Sequence, residues 1–323
     1  NTTDEERESL LQPLRITGAH YTYLNYGRIE RTPNDKERAR LKREGAEHVE
    51  TVMGFPRYWD GDYWNFKIDE FIANNKFHLT KAKARRKGFS YKRGSQAANT
   101  INLFPNVTVT LAADQLAYLT DKGATTFMAK KCLDHFEEHT FWRRGYISEA
   151  IDDILLGYRV STKGLKNFGW LSNLYSVAIG KNESAAVGKK AIEIDFEEAG
   201  KCPNLQKALD VTLSNTESGA ISVGTIRVYG TGGTKGANWA AFSKAFYNPK
   251  MNKMLCMENV WDINKRHEVC GFFFPQVWDC EPYVERGNSI IFTAYAWDKQ
   301  DKENHFHNND SETHIIYKAQ RAN

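Results

Sequence analysis

The chain has 323 residues, 41% of them hydrophobic and 13% aromatic, enough to bury a core and to exclude disordered, collagen-like and low-complexity classes. That length suits one α/β domain with an appendage, or two modest domains. Forty-four basic residues against forty acidic ones leave a net charge of +4, too small to imply a nucleic-acid partner unless the basic residues cluster.

The first residues, Asn1-Thr2-Thr3-Asp4-Glu5-Glu6-Arg7, are polar and acidic and predict no signal peptide. The longest apolar runs, such as Gly271-Phe272-Phe273-Phe274 and Ser289-Ile290-Ile291-Phe292, are far too short to span a bilayer. Five cysteines, an odd number with no Cys-x-x-Cys pair, fit reduced thiols better than a disulfide framework or a zinc ribbon. A soluble cytoplasmic protein is expected. No internal repeat and no Pro/Gly/Ser linker divides it.

Pro33-Asn34-Asp35 reads as a helix start, followed by a charged helix from Lys36 to Val52 with Leu41 and Val49 on one face. The aromatic-rich stretch from Met53 through Trp64 and Phe66 reads as irregular. From Phe77 the pattern alternates. Phe77 to Thr80 is a predicted strand, then comes a basic turn and a helix from about Ser90 to Asn99. Val107 to Ala113 is a β-branched strand, and a long helical pattern runs on to about His139. Residues 157–188 read as loops with short strands near Tyr175 to Ile179. Further strands are predicted at Ala191–Phe196, Ile221–Tyr229, Met254–Val260 and Val269–Phe274, with Cys256 and Cys270 as small core residues. Strands alternating with helices favour a mainly parallel sheet with helices on both faces. Ligands of such sheets bind beyond the carboxyl ends of the strands.

The basic turn, Lys81 to Arg93, holds seven basic residues and no acid. On charge alone it reads as a solvated loop or a nucleic-acid patch. Its position between a strand and a helix, and its Gly88-Phe89-Ser90, give a second reading. A P-loop wraps phosphates with backbone N–H groups and a helix N-terminus, reaches them with a lysine and holds Mg²⁺ with a hydroxyl. Gly88 and Ser90 fit, but Phe89 takes the usual lysine slot, so the cation would come from Lys83 or Arg86. Ala191 to Gly200 then supplies a β-type stretch ending in the adjacent acids Glu197 and Glu198, one suited to Mg²⁺ and the other to polarising a water. Glu-Glu after a strand is also often merely solvated. A third strand runs into Gly230-Thr231-Gly232-Gly233, which reads either as a flexible turn or as a polar sensor loop.

In order and spacing these pieces resemble the ATPase domain of the large terminase subunit of tailed bacteriophages, the viral DNA-packaging motor. Lys83-Ala84-Arg85-Arg86-Lys87-Gly88-Phe89-Ser90 looks like the deviant Walker A of that family, Phe196-Glu197-Glu198-Ala199-Gly200 like its Walker B with the catalytic glutamate, and Gly230-Thr231-Gly232-Gly233 like its coupling motif. Phe246 to Pro249 and Cys270 to Pro275 share the family look, and the resemblance spans roughly residues 50–323. It implies an ASCE-type P-loop α/β core of about residues 50–285, with a mainly parallel sheet flanked by helices. A small lid is implied from about residues 1–50 and 286–323. It also implies Mg²⁺-dependent ATP hydrolysis driving double-stranded DNA into a procapsid. The nucleotide-binding segment would be Lys83, Ala84, Arg85, Arg86, Lys87, Gly88, Phe89, Ser90 and Tyr91. Lys83 and Arg86 would neutralise phosphate charge, Ser90 and Glu197 would hold Mg²⁺, Glu198 would orient the attacking water, and Thr231 would sense the γ-phosphate. The implied partners are duplex DNA, the portal protein of the procapsid, the small terminase subunit and further copies in a ring, in the host bacterial cytoplasm and without a membrane.

Two departures stand out. Glu197 occupies a position usually held by Asp, and Asp195 two residues earlier competes for that role. No strand-borne acid cluster follows Gly233, so the chain looks like an ATPase fragment without the family's nuclease domain, and no nuclease activity is expected. The rivals are a helicase-like P-loop translocase and a non-enzymatic DNA-binding or capsid-associated protein. Tyr58 and Trp59 are candidates to stack on adenine or to fill the core. His305 and His307 read as exposed rather than metal-binding. Arg143 and Arg144 read as a solvated helix end, with an arginine finger as the alternative.

Overall fold

The β-branched and apolar runs of the sequence assemble into one eight-stranded sheet. A computed structural model describes residues 15–274, apart from 85–86, 162–163, 188–189, 219–220, 223, 232–236 and 261. In chain order the elements before the sheet are helix α1 (Gly18–Tyr26), β1 (Ile29–Arg31), α2 (Asp35–Arg43), β2 (Val52–Gly54) and α3 (Asp60–Asn75). Then follow β3 (Leu79–Lys83), α4 (Phe89–Leu103), β4 (Thr108–Ala113), α5 (Ala117–Thr120), α6 (Thr125–His139), β5 (Tyr146–Ala150) and β6 (Asp153–Leu156). After these come β7 (Tyr158–Ser161), β8 (Leu165–Phe168), β9 (Asn173–Ala178), β10 (Glu193–Phe196), α7 (Leu205–Asn215), β11 (Glu217–Ser218) and β12 (Ile221–Ser222). The described chain closes with β13 (Thr225–Thr231), α8 (Ala237–Tyr247), β14 (Met257–Glu258), β15 (Val269–Cys270) and β16 (Phe272–Phe274).

The sheet order is β16-β3-β13-β10-β4-β9-β6-β5. Neighbours from β16 to β9 pair in parallel, and β6 and β5 add antiparallel at one edge. The expectation of a mainly parallel α/β sheet holds, and β13 lies between the strand leading into the basic turn and the strand leading to the two acids.

Alternation along the strands sorts side chains to two faces. One face carries Ala82, Ile194, Phe196, Ile226 and Val228 into a core with Leu205 and Leu209 of α7 and Phe242 and Phe246 of α8. On the other, Val109, Leu111 and Leu174 pack with Ala97 and Ile101 of α4 and Leu133 and Phe136 of α6. Helices α4 and α6 meet closely at Gly94, where an added Cβ would lie 2.7 Å from the Thr125 carbonyl oxygen and 2.9 Å from the Ala129 nitrogen. Helix α1 docks on this layer, with Thr22 Oγ1 donating to Asn99 Oδ1 at 2.6 Å and Tyr26 over Phe136.

Several expectations need correction. The charged helix starts as predicted, with Asn34 and Glu37 forming a capping box, but it stops at Arg43 and the chain turns through Gly45 at a φ of +69°. Val49 is therefore not on it. The stretch read as irregular contains β2 and the start of the 16-residue helix α3. The long helical pattern after β4 is two helices, α5 and α6. The predicted strand at Met254–Val260 is reduced to an isolated bridge from Met254 to His78 and the short pair of β14 with β15. Cys270 is buried as expected, but Cys256 is only partly so and lies before β14. Residues 275–323, including His305 and His307, lie outside the described residues.

Candidate nucleotide site

The carboxyl ends of β3 and β13 carry Lys83 and Thr231, and β10 leads directly to Glu197 and Glu198. Lys83 is the last residue of β3, one place earlier than a loop residue, and is in register with Thr231 of β13 and Phe274 of β16. Its Nζ lies 3.6 Å from Glu198 Oε1, and its side chain is 9% exposed. After Ala84, Arg85 and Arg86 lie outside the described residues, so the placement of Arg86 is not among them. The chain then passes through Gly88, at φ +64° and ψ +24°, directly into α4. Glycine adopts that left-handed conformation without the steric cost a side chain meets. No side chain caps α4, and its first turn, which contains Ser90 and Tyr91, carries no acid. Such a start leaves backbone donors and the positive end of the helix dipole for an anion.

Phe89, in the usual lysine slot, is a core residue. Its ring stands edge-on to Phe274 at 5.0 Å and near Tyr229 at 6.2 Å. Lys92 is also committed: it pairs with buried Asp62 of α3 and lies over the rings of Phe89 and Phe274.

The two acids separate sharply. β10 ends at Phe196, so strict alternation no longer governs the pair. Glu197 is buried, and its Oε1 accepts from Thr125 Oγ1 at 2.7 Å. Burial pushes its pKa up, and Lys83 only partly opposes this. Glu198 takes a left-handed backbone, φ +48° and ψ +38°, which is costly for a residue with a side chain and is a recurrent feature of functional sites. Its second oxygen is 3.4 Å from Lys201 Nζ, so the carboxylate sits between two ammonium groups. The chain thus turns at Glu198 itself. Gly200 instead allows close packing, since a Cβ there would lie 2.8 Å from the Thr231 carbonyl oxygen. Sequence reasoning does not reach Lys201 or Thr125. Lys201 lies three residues beyond Glu198, a spacing that offers a signal, but Thr125 offers none.

Asp195 is not a competitor for the metal role. It is fully buried and paired with Arg93 of α4 and Arg227 of β13. These belong to a charged layer under α4, in which Arg93 also pairs with Glu193. Arg227 Nη1 lies 3.2 Å from Glu193 and its Nε 3.4 Å from Asp69, and Lys81 lies 2.7 Å from Asp69 and donates to Asn65 at 2.8 Å. Burial lowers the Lys81 pKa to about 8 despite Asp69. Burial raises Asp195, and Arg93 only partly offsets it. For Glu193 burial also acts upward, but Arg227 and Arg93 outweigh it and bring it to about 2.

A carboxylate lowered in the folded state stabilises the fold above its ordinary pKa and loses that contribution as pH falls through the folded value. The window for Glu193 thus runs from the ordinary 4.5 down to about 2, and its contribution is on the order of 3 kcal/mol. Urea denaturation of the wild-type chain and Glu193→Gln should show a stability gap at pH 6 that narrows by pH 3. A gap that widens at pH 3 contradicts the assignment.

Two of the remaining candidates, Tyr58 and Arg144, have structural partners. Tyr58 stacks on His20 at 5.4 Å, and His20 stacks on Phe66 at 4.8 Å, while Trp59 precedes α3. The Arg144 guanidinium lies 3.6 Å from the Trp170 ring centre and donates to the Asn102 carbonyl, so it is not a solvated end; Arg143 is exposed. Among the described residues no three His, Cys, Asp or Glu side chains gather as a metal cage, and no helix is long and apolar enough to cross a membrane. A hydroxyl and a carboxylate, Ser90 and Glu197, are hard oxygen donors of the kind Mg²⁺ uses when phosphates and water complete its shell. The buried, under-compensated carboxylate of Glu197 suits an added cation.

No family model and no curated protein matches the chain. Among solved structures, a mutant of the large terminase ATPase domain of Thermus phage P74-26 aligns with 85% of this chain and 94% of its own. The identity is 13% and the TM-score 0.42.

Proposed function

We propose that the chain is a terminase-type ATPase that hydrolyses ATP to ADP and phosphate and couples this to translocation of double-stranded DNA into a procapsid. The observation that carries the reading is the meeting of Lys83 and Glu198, 3.6 Å apart at the carboxyl end of a parallel sheet, beside a helix entered through left-handed Gly88. A largely covered lysine facing an acid at this position supports a site for a polyanion and its attacking water. Lys83, with Arg86 beside it in sequence, neutralises phosphate charge, and the backbone through Gly88 to Tyr91 cradles it. Glu198 accepts a hydrogen bond from the attacking water, polarises it and turns it towards the γ-phosphorus. Thr231, level with Lys83 across the sheet, responds to the γ-phosphate. Ser90 and Glu197 would hold Mg²⁺, which would supply positive charge against the phosphate oxygens. The lid of about residues 1–50 and 286–323, a portal protein, a small terminase subunit, a ring of copies and the host cytoplasm belong to the same reading.

Heat stabilisation tests it. An ATP analogue with Mg²⁺ at about a hundredfold excess over Kd should stabilise the chain by roughly 2.7 kcal/mol and raise Tm by several degrees over buffer. An unchanged Tm at millimolar analogue removes the ATPase reading and favours the non-enzymatic DNA-binding one.

A further inference from the structure

The segment between β6 and β9 leaves the sheet as a two-stranded antiparallel ribbon, β7 paired with β8. Cross-strand partners Tyr158 and Phe168 stack their rings at 6.2 Å on one face, with Lys166 on the same face. Arg159 and Asn167 face each other on the opposite side. All five are exposed, and Leu165 near the tip is 73% exposed. Both faces therefore meet solvent. An isolated hairpin of this kind gains too little burial to be kept for stability alone. Residues 157–170 include Arg159, Lys163 and Lys166 and no acid. Glu137, beside the ribbon's base, is engaged: it accepts from the backbone nitrogens of Arg144 and Gly145, and the Gly145 carbonyl accepts from Gly157.

We propose that the β7–β8 ribbon is the surface on which this chain takes duplex DNA, a proposal that rests on the DNA-translocation reading above. The occupant follows from charge and shape: a basic, acid-free ribbon complements a polyphosphate, and a two-stranded β-ribbon is one of the two elements that the major groove admits. Arg159 and Lys166 neutralise phosphates, and Asn167 is placed beside Arg159 to donate to phosphate or base-edge oxygens.

The ribbon sits at the opposite end of the sheet from Lys83. β6 runs antiparallel to β9, so its end lies beside the start of β9, and the Leu156 nitrogen donates to the Ser172 carbonyl. Helix α4 joins the two ends. Its first residue follows Gly88, and near its last turn the carbonyls of Ile101 and Asn102 accept from Trp170 Nε1 at 2.8 Å and Arg144 Nε at 3.0 Å. The ribbon's exit is thus fastened to the far end of the helix that begins at the nucleotide site, about 22 Å away.

The test is duplex DNA binding by the full chain, read by fluorescence anisotropy across a salt series. Arg159→Ala with Lys166→Ala should reduce the log–log salt slope by about two, one for each phosphate that the variant leaves without a cation. The same change of charge on exposed helix α2, Lys36→Ala with Lys42→Ala, should leave the slope unaltered, and nucleotide heat stabilisation of both double variants should match the wild type. A wild-type slope in the ribbon variant overturns the ribbon and leaves the translocase reading standing. Absence of duplex binding by the wild type, or preferential capture of single strands, also overturns it. Ribbon-dependent duplex binding without any nucleotide stabilisation supports the ribbon and removes the ATPase reading instead.

Discussion

Glu198→Gln is expected to keep nucleotide binding and to lower ATP turnover by roughly 10²–10⁴, the range of a positioned base. Glutamine preserves size and hydrogen bonding but removes the charge that orients and polarises the water. The carboxylate is held by Lys83 at 3.6 Å and Lys201 at 3.4 Å, and its left-handed backbone aims it away from the line of β10. Without nucleotide, Glu198 shares Lys83; with its charge removed, Lys83 is freed for phosphate. ADP should therefore bind Glu198→Gln at least as tightly as the wild type, an effect that slow hydrolysis cannot produce. Glu197→Gln should behave differently, weakening the Mg²⁺ dependence of binding, because Glu197 is buried against Thr125. Single-turnover kinetics and ADP titration separate the two. Unchanged turnover in Glu198→Gln moves the water-orienting role to Glu197, since Asp195 is committed to Arg93 and Arg227.

The alternating α/β plan was legible because β4 and β16, Thr-Val-Thr-Leu-Ala-Ala and Phe-Phe-Phe, are runs of β-branched or apolar residues, as strands buried on both faces require. What periodicity hid was the charged layer. β3, β10 and β13 read Thr-Lys-Ala-Lys, Glu-Ile-Asp-Phe and Ile-Arg-Val-Tyr, alternations that ordinarily mark a face in water. Here that face is covered by α4 and α3 and neutralised internally: Lys81, Arg93 and Arg227 meet Asp69, Glu193 and Asp195. Helix α3 is hidden in the sequence for the same reason. Its inward residues include Asp62, Asn65 and Asp69, so no apolar stripe repeats, and Trp59 before it supplies no capping side chain. The ribbon is hidden differently, since strands exposed on both faces carry no burial pattern.

That layer also bears on function. Removing one partner of a buried ion pair typically costs about 3–5 kcal/mol, because the other charge is left buried and uncompensated. Arg93 lies on α4 and its acids lie on β10, the strand that leads to Glu197 and Glu198, so the layer fixes the start of the helix against the acid strand. A site that must keep a lysine, a buried acid and a water-orienting acid in mutual reach gains preorganisation from such a tie.

Lys83→Ala is the second large expected effect: loss of nucleotide-dependent heat stabilisation and of hydrolysis, with Lys87→Ala retaining both. Three other lysines lie in the same basic segment. Lys81 is fully buried against Asp69 and Asn65, and Lys92 is locked to Asp62 between aromatic rings, so neither faces the carboxyl end of the sheet. Lys87 lies in the turn beyond the strand, next to Gly88. Lys83 alone among them is both at the end of β3 and beside Glu198. A charged donor in a desolvated site is worth about 2.7–4 kcal/mol, or roughly 10²–10³ in rate, and removal of the ground-state hydrogen bond to phosphate adds to this. Because Lys83→Ala leaves Glu197 and Glu198 without their nearest shared cation, urea denaturation without nucleotide must accompany the assay. A cooperative transition shows that the fold survives. Phe89→Lys, which restores a lysine to the usual slot, should not rescue Lys83→Ala, because the Phe89 ring packs against Tyr229 and Phe274 with the Lys81 and Lys92 ammonium groups 5.9 and 5.2 Å from its centre, and a further ammonium there is buried beside like charges. Normal hydrolysis by Lys83→Ala alongside an inactive Lys87→Ala refutes the assignment and moves the phosphate-binding ammonium into the loop.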